Sequence, residues 1–353
     1  MTKTKRVVAW MLTGCILVLC AACGGGKGEK QRFEKTYYEY FDTVTTIVGY
    51  ETDRAAFDAN CDRIAQQLDY YHRQYDIYHA YPEMVNLYTV NGNAGTAPVV
   101  VDEAVLRLLD LAIGELYDLT AGMTNVAMGS VLSIWHTYRE EAGEDPAAAR
   151  VPPRDLLQAA ADHCDPADVI LDWEQSTVYL ADPELRLDVG AVAKGFALQQ
   201  IVESLREDQI DGYMLNVGGS ICTLGSKPGG EDWVVGIQNP DVTSAQAYLC
   251  TVGLRDMTLV TSGAYQRYYE VDGIRYHHII DPNTLMPSQQ FVSVTILSED
   301  AALADALSTA CFNLSLEEGM ALVESVAGTE AMWVETDGTQ HVSTGFSAYL
   351  TGV

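Results

Sequence analysis

The sequence predicts an α+β fold, a single domain of mixed sheets with flanking helices. Three observations carry this reading. Short apolar and β-branched runs recur along the second half of the chain, separated by turn residues and interrupted by segments of helical spacing. Val169-Ile170-Leu171 and Thr177-Val178-Tyr179-Leu180 flank the polar turn Glu174-Gln175-Ser176, which is a hairpin pattern. Leu187-Asp188-Val189-Gly190-Ala191-Val192-Ala193-Lys194-Gly195 reads as a strand end, a small-residue turn and the start of a helix running to about Arg206.

Taken in order, the chain opens with a basic segment, Lys3, Lys5 and Arg6, before an apolar run from Val7 to Leu19 that is short for a membrane span. Ala21-Ala22-Cys23 and then Gly24, Gly25 and Gly26 follow. This resembles a bacterial lipoprotein signal with Cys23 as the lipidated residue, although Cys20 stands where such signals usually carry Leu. Plain cleavage and an uncleaved anchor are the alternatives. Small residues before Cys23 and a glycine tether after it favour lipidation. The expected organisation is a leader over 1–22, a lipidated cysteine and tether over 23–35, and one domain over 36–353, held at the extracytoplasmic face of the cell membrane. Phe41–Tyr50, rich in Thr and Val, is expected to be a strand, and Ala56–Tyr75 and Ala104–Leu119 helices. Glu140–Pro153 is acidic, Ala-rich and Pro-punctuated, and reads as an exposed loop. Strands are expected around Tyr213–Asn216, Trp233–Ile237, Ala247–Val252, Tyr276–Ile280 and Val292–Leu297, then helices at Ala301–Leu314 and Leu316–Val326.

At 353 residues and 48% hydrophobic, the chain is large enough to bury a sizeable core as one large domain or two small ones. Its net charge of −28 argues against nucleic acid as a partner, because that needs a basic footprint. The same charge makes any anionic ligand depend on local help from a metal ion or a helix dipole. After Cys23 the cysteines are Cys61, Cys164, Cys222, Cys250 and Cys311, an odd set without a C-x-x-C pair. Neither a disulfide framework nor a structural zinc site is expected, and buried free thiols are the simplest reading.

Several constellations could carry chemistry. The turn after Asp188 puts free backbone N–H groups, a positive dipole end and Lys194 where a phosphate could sit, or it packs a helix on a sheet with nothing bound. Asp305 and Thr309, four apart on a helix, share a face, and with a backbone carbonyl they could hold Mg²⁺. Alone they equally suit an ordinary hydrogen-bonded pair. His277 and His278 are adjacent on an expected strand and so point to opposite faces; His277 reads as a half-exposed strand residue. His278 could act as a general base. Asn216-Val217-Gly218-Gly219 lacks both phosphate-loop spacings, so its glycines read as packing residues. Thr261-Ser262-Gly263 could present a hydroxyl, but no G-x-S-x-G elbow supports a serine hydrolase. Trp135-His136 and the tyrosines are mostly core and surface, with room for one ring to stack on a flavin or adenine.

Taken together and in order, these segments resemble the ApbE family of FAD:protein FMN transferases. The matching pieces are Phe41-Asp42-Thr43, Thr124 to Ser130 with Trp135, Asp188 to Gly195, Leu215 to Gly219, Trp233 to Ile237, Thr261-Ser262-Gly263, His278 to Pro282 and Asp305 to Thr309. They span roughly residues 36–335. The resemblance implies a single α+β domain that binds FAD and Mg²⁺ and transfers the FMN half of FAD to a Thr or Ser hydroxyl of an acceptor protein, releasing AMP. It implies metal ligands at Asp305, Thr309 and the Ala191 carbonyl. It implies FAD contacts at Met123, Thr124, Asn125, Asp188, Lys194 and Ile280, and a catalytic histidine at His278. Some members carry a second Asp where this chain has Ser308, and many carry Asp where it has Asn125, which removes a charge. Implied acceptors are subunits of redox complexes and FMN-binding domains at the outer face of the membrane. Two alternatives use the same residues: an Mg²⁺-dependent FAD pyrophosphatase with water as nucleophile, and a non-enzymatic flavin-binding lipoprotein.

Overall fold

The computed structural model describes residues 29–352; the leader and Cys23 lie outside the described residues. Eight strands form one sheet whose spatial order follows the chain: β1 (Gln31–Tyr37), β2 (Thr45–Glu51), β3 (Tyr213–Val217), β4 (Ser220–Leu224), β5 (Thr258–Gly263), β6 (Phe291–Ser298), β7 (Glu330–Glu335) and β8 (Gln340–Val342). Every neighbour in it is antiparallel. The α+β expectation holds.

Side-chain alternation explains how this sheet is covered. On β5, β6 and β7, Val260, Ile296 and Trp333 join a core with Leu307, Cys311 and Phe312 of the Ala301–Asn313 helix. Their neighbours Leu259, Leu297 and Met332 point the other way, onto Val235 and Val252 of a three-stranded sheet built from Trp233–Gln238, Tyr248–Leu254 and Leu350–Gly352. The period of two thus feeds two cores at once. Ile47, Leu215 and Leu224 pack on the Arg54–Tyr75 and Ala193–Glu207 helices. Asp53, Asp300 and Ser315 cap helices by accepting from backbone N–H groups, and Ser315 with Glu318 completes a capping box.

At two places the fold depends on glycine. Gly218 and Gly219 form the two-residue β3–β4 turn, both at positive φ, so they are turn residues rather than a phosphate loop. Gly195 lets the Ala193–Glu207 helix lie directly on the Ala301–Asn313 helix: a Cβ there would stand 2.2 Å from the Ala301 carbonyl oxygen and 2.6 Å from Asp305 Cβ. Gly195→Ala should lower stability by about 1–3 kcal/mol and push Asp305 out of place. Thermal unfolding checks the first effect and ligand binding the second.

The structure corrects several expectations. Strand β1 begins at Gln31 and pairs with β2, so folded structure starts inside the stretch read as a tether to residue 35. Phe41 and Asp42 adopt positive φ and form a turn, delaying the strand expected from residue 41 until Thr45. The helix expected over 104–119 breaks at Gly114. The segment read as a loop from Glu140 is helical to Glu144, as the end of the Gly129–Glu144 helix. Leu187–Val189 joins no sheet; the Asn91 side chain bonds both the N–H and C=O of Leu187, and the Asp188 N–H donates to the Val126 carbonyl. The expected 169–180 hairpin is present, extended by Val99–Val100. Cys61, Cys164, Cys222, Cys250 and Cys311 are free thiols, all but the half-buried Cys164 fully buried. Among the described residues, no helix is long and apolar enough to cross a membrane.

Candidate functional site

Met123, Thr124, Asn125, Asp188, Ala191, Lys194, His278, Ile280, Asp305 and Thr309 all line one cavity of about 330 Å³. They come from four separated stretches of chain, brought together by the helix contact at Gly195 and by the loop that precedes the Gly129–Glu144 helix.

Asp305 sits on an Ala-rich helix that is buried nearly all round, and is itself only 4% exposed. Its carboxylate accepts the Gly195 N–H at 2.8 Å and has the Lys194 ammonium at 3.4 Å. Burial pushes the carboxyl up; Lys194 and the Gly195 N–H oppose that only in part. Lys194 also reaches the Gly190 carbonyl at 3.5 Å. Thr309, one turn further on, lines the cavity with no hydrogen-bond partner for its hydroxyl among the described residues. A buried, under-partnered carboxylate and a free hydroxyl are hard oxygen donors, and with a carbonyl from Ala191 of the same cavity they form a set that fits Mg²⁺. Among the described residues no three His, Cys, Asp or Glu side chains cluster as a metal site, so any metal rests on this mixed set. Ser308 does not extend it: fully buried, its hydroxyl donates to the Asp305 carbonyl at 2.8 Å and meets Ser262 Oγ at 2.8 Å.

The loop over 123–128 is held rigidly. Thr124 Oγ1 donates to the Ala306 carbonyl at 2.8 Å, tying the loop to the Asp305 helix. Asn125 donates to the Cys164 carbonyl and accepts from the Ala127 N–H. A carboxylate could accept from Ala127 but could not donate to Cys164, which gives the Asn at this position a structural reason. Asp188 accepts the Gly190 N–H at 2.9 Å. Burial raises its carboxyl, opposed by that N–H and then by His136, Arg139 and Arg267.

The two histidines differ from expectation. His277 is the last residue of the Ile274–His277 strand and is 3% exposed, not half-exposed; its Nε2 donates to the Ser288 carbonyl at 2.6 Å and its ring packs on Phe312. His278 lies just past the strand end, at a bend, and lines the cavity. Its Nδ1 is buried without a partner. Burial, then the charge of Arg267, holds the imidazole down at about 3, so it is neutral near pH 7.

Of the other wall, sequence reasoning offered only Trp135, His136 and the tyrosines as rings that could stack, and missed the rest. Leu132, Trp135, His136 and Arg139 face the cavity from one side of the Gly129–Glu144 helix at i, i+3, i+4, i+7 spacing. Tyr78, half exposed, lays its ring 5.1 Å from that of His136. Arg267 completes the wall. The helical stripe is readable as a pattern, but the polar, Pro-punctuated composition of Glu140–Pro153 masks the helix that runs into it.

A cavity lined by oxygen donors, one ammonium, two arginines and aromatic rings defines a protein built to hold an anionic, ring-bearing ligand of the nucleotide type. Similarity to known proteins agrees with that class. The ApbE family model matches residues 41–333, and the chain belongs to the ApbE family. It is 39% identical over 273 residues to the FAD:protein FMN transferase of Treponema pallidum, covering 73% of each chain. It is 32% identical over 246 residues to that of Klebsiella pneumoniae, covering 69% of this chain and 73% of the relative. Among solved structures, the ApbE protein of Thermotoga maritima superposes with a TM-score of 0.78 at 27% identity, covering 91% of this chain and 100% of that one. Flavin transferase ApbE from Vibrio cholerae gives 0.75 at 25%, with the same coverage.

Proposed function

We propose that this chain is an Mg²⁺-dependent FAD:protein FMN transferase, anchored through a lipid on Cys23 at the outer face of the membrane. The observation that carries the reading is the convergence of Met123, Thr124, Asn125, Asp188, Ala191, Lys194, His278, Ile280, Asp305 and Thr309 on one cavity. The shared name of the Treponema and Klebsiella relatives supports it.

In the reaction, a Thr or Ser hydroxyl of the acceptor protein attacks the phosphorus of the FMN half of FAD. The new O–P bond forms as the bond to the AMP phosphate oxygen breaks, and AMP leaves. His278 takes the hydroxyl proton. Asp305, Thr309 and the Ala191 carbonyl would hold Mg²⁺, which supplies charge against the pyrophosphate oxygens. Lys194 shares that task from the same end of the cavity. The buried walls and Tyr78 fix the ligand and limit water, favouring a protein hydroxyl over hydrolysis.

The test incubates the protein with FAD, Mg²⁺ and a purified FMN-acceptor domain, followed by intact mass and a nucleotide chromatogram. The expected result is an acceptor heavier by one FMN, with matching AMP, and no product in EDTA. Free FMN and AMP over an unmodified acceptor would point to a pyrophosphatase; intact bound FAD would point to a binding protein. For the anchor, Cys23→Ser should move the protein from the membrane to the soluble fraction without loss of transfer.

A further inference from the structure

The aspartates that line the cavity are not alike. Asp188 and Asp305 each take a single backbone N–H, which leaves acceptor capacity for a ligand. Asp76 lines the same cavity but has none to spare. It ends the Arg54–Tyr75 helix as its C-cap and is 8% exposed. Its Oδ1 accepts the backbone N–H groups of Tyr78 at 2.7 Å and His79 at 3.0 Å. Its Oδ2 accepts the Tyr81 hydroxyl at 2.8 Å and meets His79 Nδ1 at 3.0 Å. A carboxylate offers about four acceptor sites, and this one spends all of them on the turn that follows it. The turn is pinned from behind as well. The Asp76 carbonyl accepts the Tyr88 N–H at 3.0 Å. Fully buried Asn86 donates to the carbonyls of Arg73 at 3.0 Å and His79 at 2.9 Å. What this turn carries into the cavity wall is Tyr78. That ring is half exposed and stands 5.1 Å from the ring of His136. With so little of it buried, its place depends on the backbone beneath it.

We propose that Asp76 is a positioning residue: without touching the ligand, its carboxylate fixes the backbone of Tyr78 and thereby sets that ring in the cavity wall. A ring already in place has less freedom to lose when a ligand arrives, so the strut raises affinity through preorganisation. That the ligand is a flavin dinucleotide rests on the function proposed above; the placement of Tyr78 rests on the hydrogen bonds of the turn.

A double-mutant cycle tests this, with equilibrium binding of FAD to the wild type, Asp76→Ala, Tyr78→Ala and the double variant. Asp76→Ala should weaken FAD about 10-fold where Tyr78 is present, and by no more than about 2-fold where Tyr78 is already Ala, because the two act as one unit. Asp76→Asn keeps an oxygen for the two N–H groups but turns the other acceptor into a donor, and should lose about 3-fold; it carries the same cycle if Asp76→Ala does not fold. Amide hydrogen exchange gives a readout free of FAD. Exchange at Tyr78 and His79 should quicken about 10-fold in Asp76→Ala, with the amides of β6 unchanged. Equal loss of FAD affinity with and without Tyr78 would overturn the proposal, since Asp76 would then act on the ligand directly or on the whole fold. Unchanged exchange at Tyr78 and His79, or faster exchange throughout the protein, would overturn it too. If the wild type binds no FAD, the flavin reading falls and the exchange result alone decides the placement of Tyr78.

Discussion

Asp305→Asn should cost about 10³-fold in FMN transfer, as expected for loss of a charged group that stabilises the reacting phosphate, while leaving the melting temperature unchanged or higher. The two effects run in opposite directions for one reason. In the folded protein this carboxylate is nearly inaccessible and has one short N–H donor and an ammonium at 3.4 Å, too little to offset its desolvation. Asn is isosteric and neutral, so folding no longer has to bury a charge; Lys194, only partly buried, turns to solvent. A site residue that weakens the fold is the signature of a group kept for ligand binding. Parallel thermal melts and transfer assays measure the split. A fall in both together would make Asp305 a structural residue. Thr309→Val, which removes one neutral donor, should cost about 10-fold.

His278→Gln should lower kcat by about 10²- to 10⁴-fold, the usual worth of a positioned proton acceptor, with FAD affinity nearly intact. Substitution by Gln keeps a polar side chain in the space and removes the titration. That gives a second readout. The imidazole is held down at about 3 in the fold against an ordinary value of 6.5, so below 6.5 the unfolded chain binds a proton that the native state does not. Stability conferred by this histidine is therefore full above pH 6.5 and is lost as pH falls from 6.5 toward 3. Asp305 and Asp188, whose carboxyls are raised, act in the opposite sense in acid, so the comparison must be wild type against His278→Gln. The variant should lose less stability between pH 6.5 and 4. Equal pH slopes for the two proteins would mean that His278 is not held neutral.

Much of the architecture was legible because it depends on local pattern. The Arg54–Tyr75, Ala193–Glu207 and Ala301–Asn313 helices and β3 and β6 follow from apolar spacing and capping residues, and each formed close to its expected bounds. The misread elements are those where tertiary context overrides local preference. β1 is polar and largely exposed on one edge, so nothing in Gln31–Tyr37 distinguishes it from a tether until β2 supplies a partner. Leu187–Val189 looks like a strand, but Leu187 bonds the Asn91 side chain and Asp188 the Val126 carbonyl, partners far away in sequence. His277 reads as half-exposed because alternation assigns one face to solvent; the Ser288 loop and Phe312 cover that face.

The sequence by itself determined the α+β class, the free thiols and the ten residues that line the cavity over 123–125, 188–194, 278–280 and 305–309. Motifs of short range sufficed for that, since Asp305 with Thr309 and Asp188 with Lys194 are each neighbours along the chain. Only the tertiary structure decided that these pairs share one cavity, because their meeting depends on Gly195 admitting the Ala301–Asn313 helix to van der Waals contact. It also placed Arg139 and Arg267 in the cavity wall. An arginine in a sequence carries no sign of whether it will line a cavity, and here packing alone decides it.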